Sequence, residues 1–390
     1  MLVNCKFFDD TPSDTRDDRL WKFYESTAES LHLSFTGQSV CVLNPKLVDD
    51  LLKKWEREMS GILPFYAVKA LPDDKIIQKM KYFDCASSQE FKQVISLGGD
   101  PKNIIYANTA KRPADIVEAK KCGVKLMTLD SIFEADKIMS LYPECGLVLR
   151  LAVSDKGAQF TTFAHKFGST SVENSKKIID KYYKKIKGFS FHVGCGQTNK
   201  NAWSDAMEMV DELFSYVLEQ YPMYYDNITF IDIGGGYSTD SHSLSLTTIR
   251  TSLTVWKEKY FDKVWIAEPG RFFCADTMTL LCPIISKNMR HGKQYYVIGN
   301  SIHHTFSCII FDLHKPRQLS REDWGRDVVE GVIVGETCDG VDVLYNGLVA
   351  KDLEIGDVLV FERMGAYSNA SANHFNGFEP PKTVYYNRLP

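Results

Sequence analysis

Along the middle of the chain, hydrophobic and polar positions switch between two periods. Short β-branched or aromatic runs stand at 64–68, 82–85, 103–107, 125–129, 147–151, 187–193, 228–233 and 264–267. Between them, apolar residues recur at helical spacing over 113–122, 132–141 and 202–219, and a further helix-like stretch, 46–59, precedes the first run. Strands separated by helices predict parallel pairing through right-handed crossovers. Eight such pairs predict an α/β fold, a closed (β/α)8 TIM-like barrel, with an open doubly wound sheet as the alternative. Past about residue 275 the helical spacing stops, and strand-like runs follow at 279–285, 294–298, 306–311, 329–334 and 358–361. A run at 39–43 has the same character. These predict a second, all-β domain formed from both chain ends. The expected division is 42–275 for the barrel, with 1–41 and 276–390 for the β-domain.

Composition narrows the function classes. The chain has 390 residues, 44% hydrophobic and 25% charged, which is ordinary globular usage. Lys+Arg of 46 against Asp+Glu of 50 leaves a net charge of −4, so nothing points to nucleic acid or an anionic membrane. The start, Met1-Leu2-Val3-Asn4-Cys5-Lys6, lacks an apolar signal core, and no run of about eighteen apolar residues occurs. The ten cysteines are scattered without metal-ligand spacing. The expectation is a cytoplasmic protein with reduced thiols and no metal.

In such a barrel, chemistry gathers at the C-terminal ends of the strands. Those ends read Lys69, Asp84, Arg150, His192, Gly234-Gly235-Gly236 and Glu268-Pro269-Gly270-Arg271. Alternation places Phe65, Ala67 and Lys69 on one face of the first run. A lysine on an apolar inner face is costly unless paired or covalently used, and a Schiff base with a cofactor aldehyde is such a use. A lysine reaching solvent is the other reading. The glycine triplet lets backbone N–H groups approach a phosphate, or simply makes a tight turn. Glu268 and Arg271 supply a carboxylate for a pyridine nitrogen and a cation for a phosphate, or form a surface ion pair. His192 suits ring stacking or a structural role. Asp84 suits pairing with Lys69 or capping the next helix, and Arg150 an internal ion pair. Taken together, these are the parts of a pyridoxal 5'-phosphate (PLP) site.

The stretches Pro64-Phe65-Tyr66-Ala67-Val68-Lys69, Phe191-His192-Val193-Gly194, Asp232-Ile233-Gly234-Gly235-Gly236 and Ala267-Glu268-Pro269-Gly270-Arg271 follow one another in a familiar order. Thr337-Cys338-Asp339-Gly340, Met364-Gly365-Ala366-Tyr367 and Phe375-Asn376-Gly377-Phe378 continue it. Together they resemble the ornithine decarboxylase family, the barrel-fold PLP decarboxylases of basic amino acids, over almost the whole chain. The resemblance implies that Lys69 carries the Schiff base, His192 stacks on the ring and Glu268 binds the pyridine nitrogen. It implies Arg271, the 234–236 backbone and Tyr367 at the phosphate, with Asp84, Glu90 and Arg150 as a supporting polar shell. It also implies a homodimer with shared active sites, in which the partner supplies Cys338, Asp339 and Phe375, and Lys166 pairs with Asp342 across the interface. Cys338 would return a proton to Cα.

Departures from the family pattern fall at telling places. Cys195 stands where a serine near the phosphate is usual, and a thiol is a poorer hydrogen-bond donor. Ala70-Leu71 replaces the usual Cys-Asn after Lys69. Asn300 takes the place of an acidic residue that binds the distal amine or guanidinium, His303 that of a tyrosine and His304 that of a glycine. Asp339 remains. The chain ends at Pro390 without the long tail of some relatives. The expected activity is decarboxylation of a small-molecule L-amino acid to an amine, ornithine foremost, or lysine or arginine, in polyamine-type metabolism. The alternatives are a decarboxylase of a less basic amino acid and a non-catalytic regulatory homologue. A racemase on the same barrel is disfavoured by Glu268.

Overall fold

The computed structural model describes residues 2–3, 18–159, 161–318, 328–350 and 353–386. The expectations resting on residues 4–6 and on the chain end at Pro390 lie outside them. The chain divides into two compact units, one of residues 48–273 and one of residues 1–47 with 274–390.

The first unit is a closed barrel of eight parallel strands: β1 (Ile62–Ala67), β2 (Tyr82–Cys85), β3 (Ile104–Tyr106), β4 (Leu126–Leu129), β5 (Gly146–Leu151), β6 (Ile186–Phe191), β7 (Phe230–Asp232) and β8 (Val264–Ala267). β8 pairs back onto β1, with Trp265 opposite Ile62, which excludes the open sheet. Inward-facing Phe65, Ile105, Val148 and Phe230 come from β1, β3, β5 and β7 and pack together with Ile266 of β8. A layer drawn from alternate strands is how a small barrel fills its interior. The ring of Phe230 needs room: a Cβ on Gly188 of β6 would lie 2.5 Å from its Cε2.

Local chemistry fixes where the surrounding helices begin. Ser87, Ser131 and Ser171 each accept a backbone N–H three residues on, from Glu90, Glu134 and Asn174. These are N-caps, which satisfy donors the helix itself leaves open. The helix Pro113–Cys122 starts with proline in its first turn and stops at Gly123, whose φ of 79° is left-handed.

In the second unit, Met278–Arg290 is the long central strand. Its first half pairs antiparallel with Val40–Leu43 and Val358–Glu362, its second half with Lys293–Ile298, and the register shifts between Ile284 and Ser286. Val328–Val334 and Val343–Ala350 extend the sheet beyond Lys293–Ile298. Lys382–Tyr385 pairs with Val40–Leu43, which places residues 40–43 in the sheet and moves the boundary from the expected 42 to 47/48. A helix, Asp18–Ser30, lays Trp21 and Tyr24 against Val40, Val42, Leu281, Val358 and Val360.

Two expectations are corrected. The run at 306–311 is not a strand; Ser307–Phe311 is a short helix, with Ile310 and Phe311 exposed. Its apolar residues suit a strand equally well, and short runs of this kind do not separate the two periods. Lys69 does not continue β1. It lies in a 3-10 turn, Val68–Ala70, closed by the Leu71 N–H donating to the Val68 carbonyl.

Replacing Gly188 with valine should therefore destabilise the barrel by about 1–3 kcal/mol, the usual cost of overpacking. Thermal unfolding measures it, and a melting temperature equal to the parent's would show that the Phe230 ring has space to yield.

Candidate active site

The C-terminal ends of β1, β2, β5, β6, β7 and β8 carry one cluster. Lys69, 42% exposed, donates from Nζ to Oδ2 of Asp84 at 2.5 Å, while Asp84 is fully buried on β2. Asp84 therefore serves as the lysine's counter-charge, and Ser87 caps the following helix in its stead. Glu90 reaches back to accept the Ala86 N–H at 2.6 Å, and burial raises its pKa against that bond and the charge of Lys69.

His192 follows β6. Its Nδ1 accepts the Gly194 N–H at 3.0 Å, so the neutral ring carries its proton on Nε2. Phe163 packs edge-on against it at 4.5 Å. Withdrawal from water, with the positive charges of Arg150 and Lys69, holds the imidazole well below its ordinary pKa. The ring is thus a neutral face, suited to stacking. Arg150, on β5, lies 5.0 Å over the ring of Phe167.

The glycine triplet leaves no room for side chains. A Cβ on Gly234 would fall 1.9 Å from the Phe191 carbonyl oxygen, one on Gly235 2.6 Å from His192 Nε2, and one on Gly236 2.4 Å from the Gly194 carbonyl oxygen. Gly234 and Gly236 also have φ of 65° and 106°. The bare backbone at this strand end is thus a requirement of packing as well as of the turn. Arg271 is buried at the start of the short helix Arg271–Cys274. Arg271 and Lys69 both lower the pKa of the Cys195 thiol, which burial raises overall.

Asp232 was not singled out from the sequence beyond its place in the glycine motif. It ends β7, fully buried, and its Oδ1 accepts the Gly234 N–H at 2.9 Å. Burial lifts its pKa to about 7. Burial, then the charges of Asp232 and Asp84, lift Glu268 well above the carboxylate range, opposed by Lys69 and Arg150. The available signal was an aspartate at a strand end directly before three glycines.

A second cluster belongs to the sheet unit. His303 Nε2 lies 2.8 Å from Asp339 Oδ2, and Phe375 stacks on the imidazole at 4.2 Å and 17°. Cys338 is exposed, and its backbone N–H donates to Asn376 Oδ1 at 2.8 Å. Asn300 is fully buried and closes on its own loop, Nδ2 donating to Thr305 Oγ1 and Oδ1 accepting from Ser301 N–H. His304 is buried beside Glu336, 3.7 Å away. Tyr367 adopts a left-handed φ of 55°. Asp342 is buried, with Oδ1 accepting the Ile302 N–H and Oδ2 accepting from both the N–H and the hydroxyl of Thr337. Lys166, on the barrel unit, is exposed beside the ring of Phe167, 4.9 Å away.

The sequence of residues 46–275 matches the family described as "Pyridoxal-dependent decarboxylase, pyridoxal binding domain". The chain belongs to the pyridoxal-dependent decarboxylases. It is 34% identical over 363 residues to a Dictyostelium discoideum protein described as "Probable ornithine decarboxylase", covering 87% of this chain and 77% of that one. The arginine decarboxylase of Paramecium bursaria Chlorella virus superposes with a TM-score of 0.80 at 33% identity, covering 90% of this chain and 96% of that one. The lysine/ornithine decarboxylase of Vibrio vulnificus, complexed with cadaverine, gives a TM-score of 0.84 at 26% identity, covering 97% and 100%. The chain is thus a PLP-dependent amino acid decarboxylase.

The barrel cluster fits that cofactor. It offers an amine beside a carboxylate, a backbone cradle that any Cβ would fill, and buried carboxyls that burial keeps prone to protonation and that a cationic partner would hold ionised. A protonated ring nitrogen is such a partner.

A carboxyl whose folded pKa lies above its unfolded value leaves the folded chain holding more protons between the two, so stability falls as pH rises through that window. For Asp232 the window runs from its ordinary 3.8 to about 7. The cofactor-free protein should lose thermal stability as pH rises across it, and Asp232→Asn should flatten the loss. Superposable melting profiles of parent and variant would contradict the assignment.

Proposed function

We propose that this protein decarboxylates a basic L-amino acid to its amine, ornithine foremost, with lysine and arginine as the related substrates, in polyamine-type metabolism. The observation that carries the reading is Asp339, a carboxylate kept ionised by the Val341 N–H and by His303, and so suited to a cationic side chain. Relatives described as ornithine, arginine and lysine/ornithine decarboxylases support it.

In this reading Lys69 would hold the cofactor aldehyde covalently, and Asp84, which pairs with the free lysine, would be the carboxylate beside that link. His192 would lie against the ring, and Glu268 would partner the ring nitrogen. The Gly234–Gly236 backbone, Cys195, Arg271 and Tyr367 hold the phosphate. Glu90 and Arg150 support the polar shell. When bound, PLP supplies a sink for the electron pair released as the Cα–carboxylate bond breaks. Cys338 then gives its thiol proton to Cα, so that one carbon dioxide leaves, one proton is gained and the amine remains. We further propose a homodimer in which Cys338, Asp339 and Phe375 serve the partner subunit's site and Lys166 pairs with Asp342 of the partner. The location proposed is cytoplasmic, in keeping with nine described cysteines that are all free thiols. Among the described residues no helix is long and apolar enough to cross a membrane.

A second reading, a less basic substrate, draws on Asn300, whose amide is spent inside its own loop. Carbon dioxide release from PLP-loaded protein, screened over the common L-amino acids and L-ornithine, separates the two. Release from ornithine, lysine or arginine supports the first; release only from a neutral amino acid supports the second. Release from none would overturn both in favour of a regulatory homologue.

Two variants probe the machinery. Lys69→Ala should abolish the visible absorbance of bound cofactor. Cys338→Ala should lower kcat about a hundredfold or more while leaving that absorbance intact, as for loss of a proton donor. Mixing the two should restore roughly a quarter of parental activity if sites are shared in a two-fold dimer. No recovery despite demonstrated subunit exchange would exclude sharing.

A further inference from the structure

Three loops of the sheet unit are tied into one body. The Asn373 N–H donates to the His303 carbonyl at 2.9 Å, Cys338 N–H to Asn376 Oδ1 at 2.8 Å and Ile302 N–H to Asp342 Oδ1 at 3.0 Å. At its centre lies Asp339. Its Oδ1 accepts the Val341 N–H at 3.1 Å, and its Oδ2 faces His303 Nε2 at 2.8 Å. The carboxylate is ionised and can only accept, so the imidazole donates from Nε2. Phe375, stacked on that ring at 17°, fixes the plane from which it donates. Asn300 offers nothing in compensation, because both ends of its amide are used within its own loop.

We infer that His303 is a specificity-determining residue, which engages one oxygen of Asp339 and thereby selects a substrate ending in a primary ammonium over one ending in a guanidinium. The inference deepens the proposed function and rests on Asp339 meeting the distal end of the substrate. A guanidinium binds a carboxylate best as a fork, through two parallel N–H···O bonds that need both oxygens presented together. An ammonium is a point charge with rotatable donors and needs one lone pair. With one oxygen held by the Val341 N–H and the other by the His303 imidazole, Asp339 keeps lone pairs for single bonds and loses the open edge that a fork requires.

The test uses the full-length holoenzyme, as parent, His303→Phe and His303→Gln. Phenylalanine preserves the stack on Phe375 and removes the donor, whereas glutamine retains an N–H donor. Calorimetric titration gives the dissociation constants of putrescine and agmatine, which end in an ammonium and a guanidinium. The parent should bind putrescine at least about tenfold more tightly than agmatine, and His303→Phe should erase most of that ratio, as expected when a charge-assisted contact is redistributed. His303→Gln should retain the larger part of it. A purely structural role would weaken both ligands alike and leave the ratio unchanged, which would overturn the inference. So would a parent that binds agmatine as tightly as putrescine, or that binds neither. Carbon dioxide release measured alongside separates this from the underlying reading. A putrescine preference that depends on His303, without turnover of any basic amino acid, would sink the proposed function and keep the selectivity. Equal turnover of arginine and ornithine would do the reverse.

Discussion

A carboxylate withdrawn from water must find a positive partner or give up its charge, and the open end of this barrel gathers three of them. Asp84 is fully buried and finds Lys69 at 2.5 Å. Asp232 and Glu268 share what remains of Lys69 and Arg150, and burial pushes both of their pKa values upward. The barrel makes this concentration possible, since parallel strands end side by side and each delivers one side chain to the same place. It also makes it expensive. In a poorly solvated space, protonation of Asp232 and Glu268 relieves that cost, so barrel stability is tied to pH through these carboxyls.

The glycine turn answers a different demand. Backbone from β6 and β7 approaches so closely that Gly234 and Gly236 would each drive a side chain into a carbonyl oxygen. Gly235 would drive one into His192, so the residue that presents a neutral ring face also forbids bulk in the neighbouring loop. Cys195, in place of the family's serine, sits close enough to Arg271 and Lys69 to feel both charges. Its thiol remains protonated under burial, so it adds a weak donor rather than a negative charge beside those two cations.

The barrel was legible because each of its strands is a short apolar run bounded by helical spacing, and that alternation survives without any knowledge of contacts. Lys69, Asp84, His192 and Glu268 were legible as strand ends. What escaped has local causes. Lys69 leaves the strand for a 3-10 turn, which the continuing alternation of Phe65, Ala67 and Lys69 conceals. The run at 306–311 presents apolar residues that neither period claims, two of which lie exposed. The strand Val343–Ala350 contains Asn346 and Gly347, residues disfavoured in strands, and is held by pairing with Val328–Val334 rather than by its own composition. The helix Asp18–Ser30 has a polar outer face and few apolar residues, and what holds it is packing on the sheet through Trp21 and Tyr24. Asp232 passed unnoticed as an active-site carboxyl because its burial is a property of the closed barrel, not of its neighbours in the chain.

The departures from the family pattern do not fall at random. The barrel keeps the lysine, the histidine, the glycine turn and the glutamate of the family pattern, with Cys195 and Ala70-Leu71 as its departures. The changes at Asn300, His303 and His304 fall in a single loop of the other unit. There Asn300 and His304 turn inward and become packing residues, both almost wholly buried. His303 reaches the Asp339 carboxylate, and it stacks on Phe375 while doing so. In the proposed reading the barrel unit supplies most of the cofactor contacts, while the sheet unit supplies Cys338 and Tyr367 together with the loop that carries Asn300, His303 and His304. The requirements of bond breaking bind the barrel residues tightly together through buried charge. The loop that carries Asn300, His303 and His304 is itself held by hydrogen bonds within the sheet unit, to Thr305, Asp342 and Asn373.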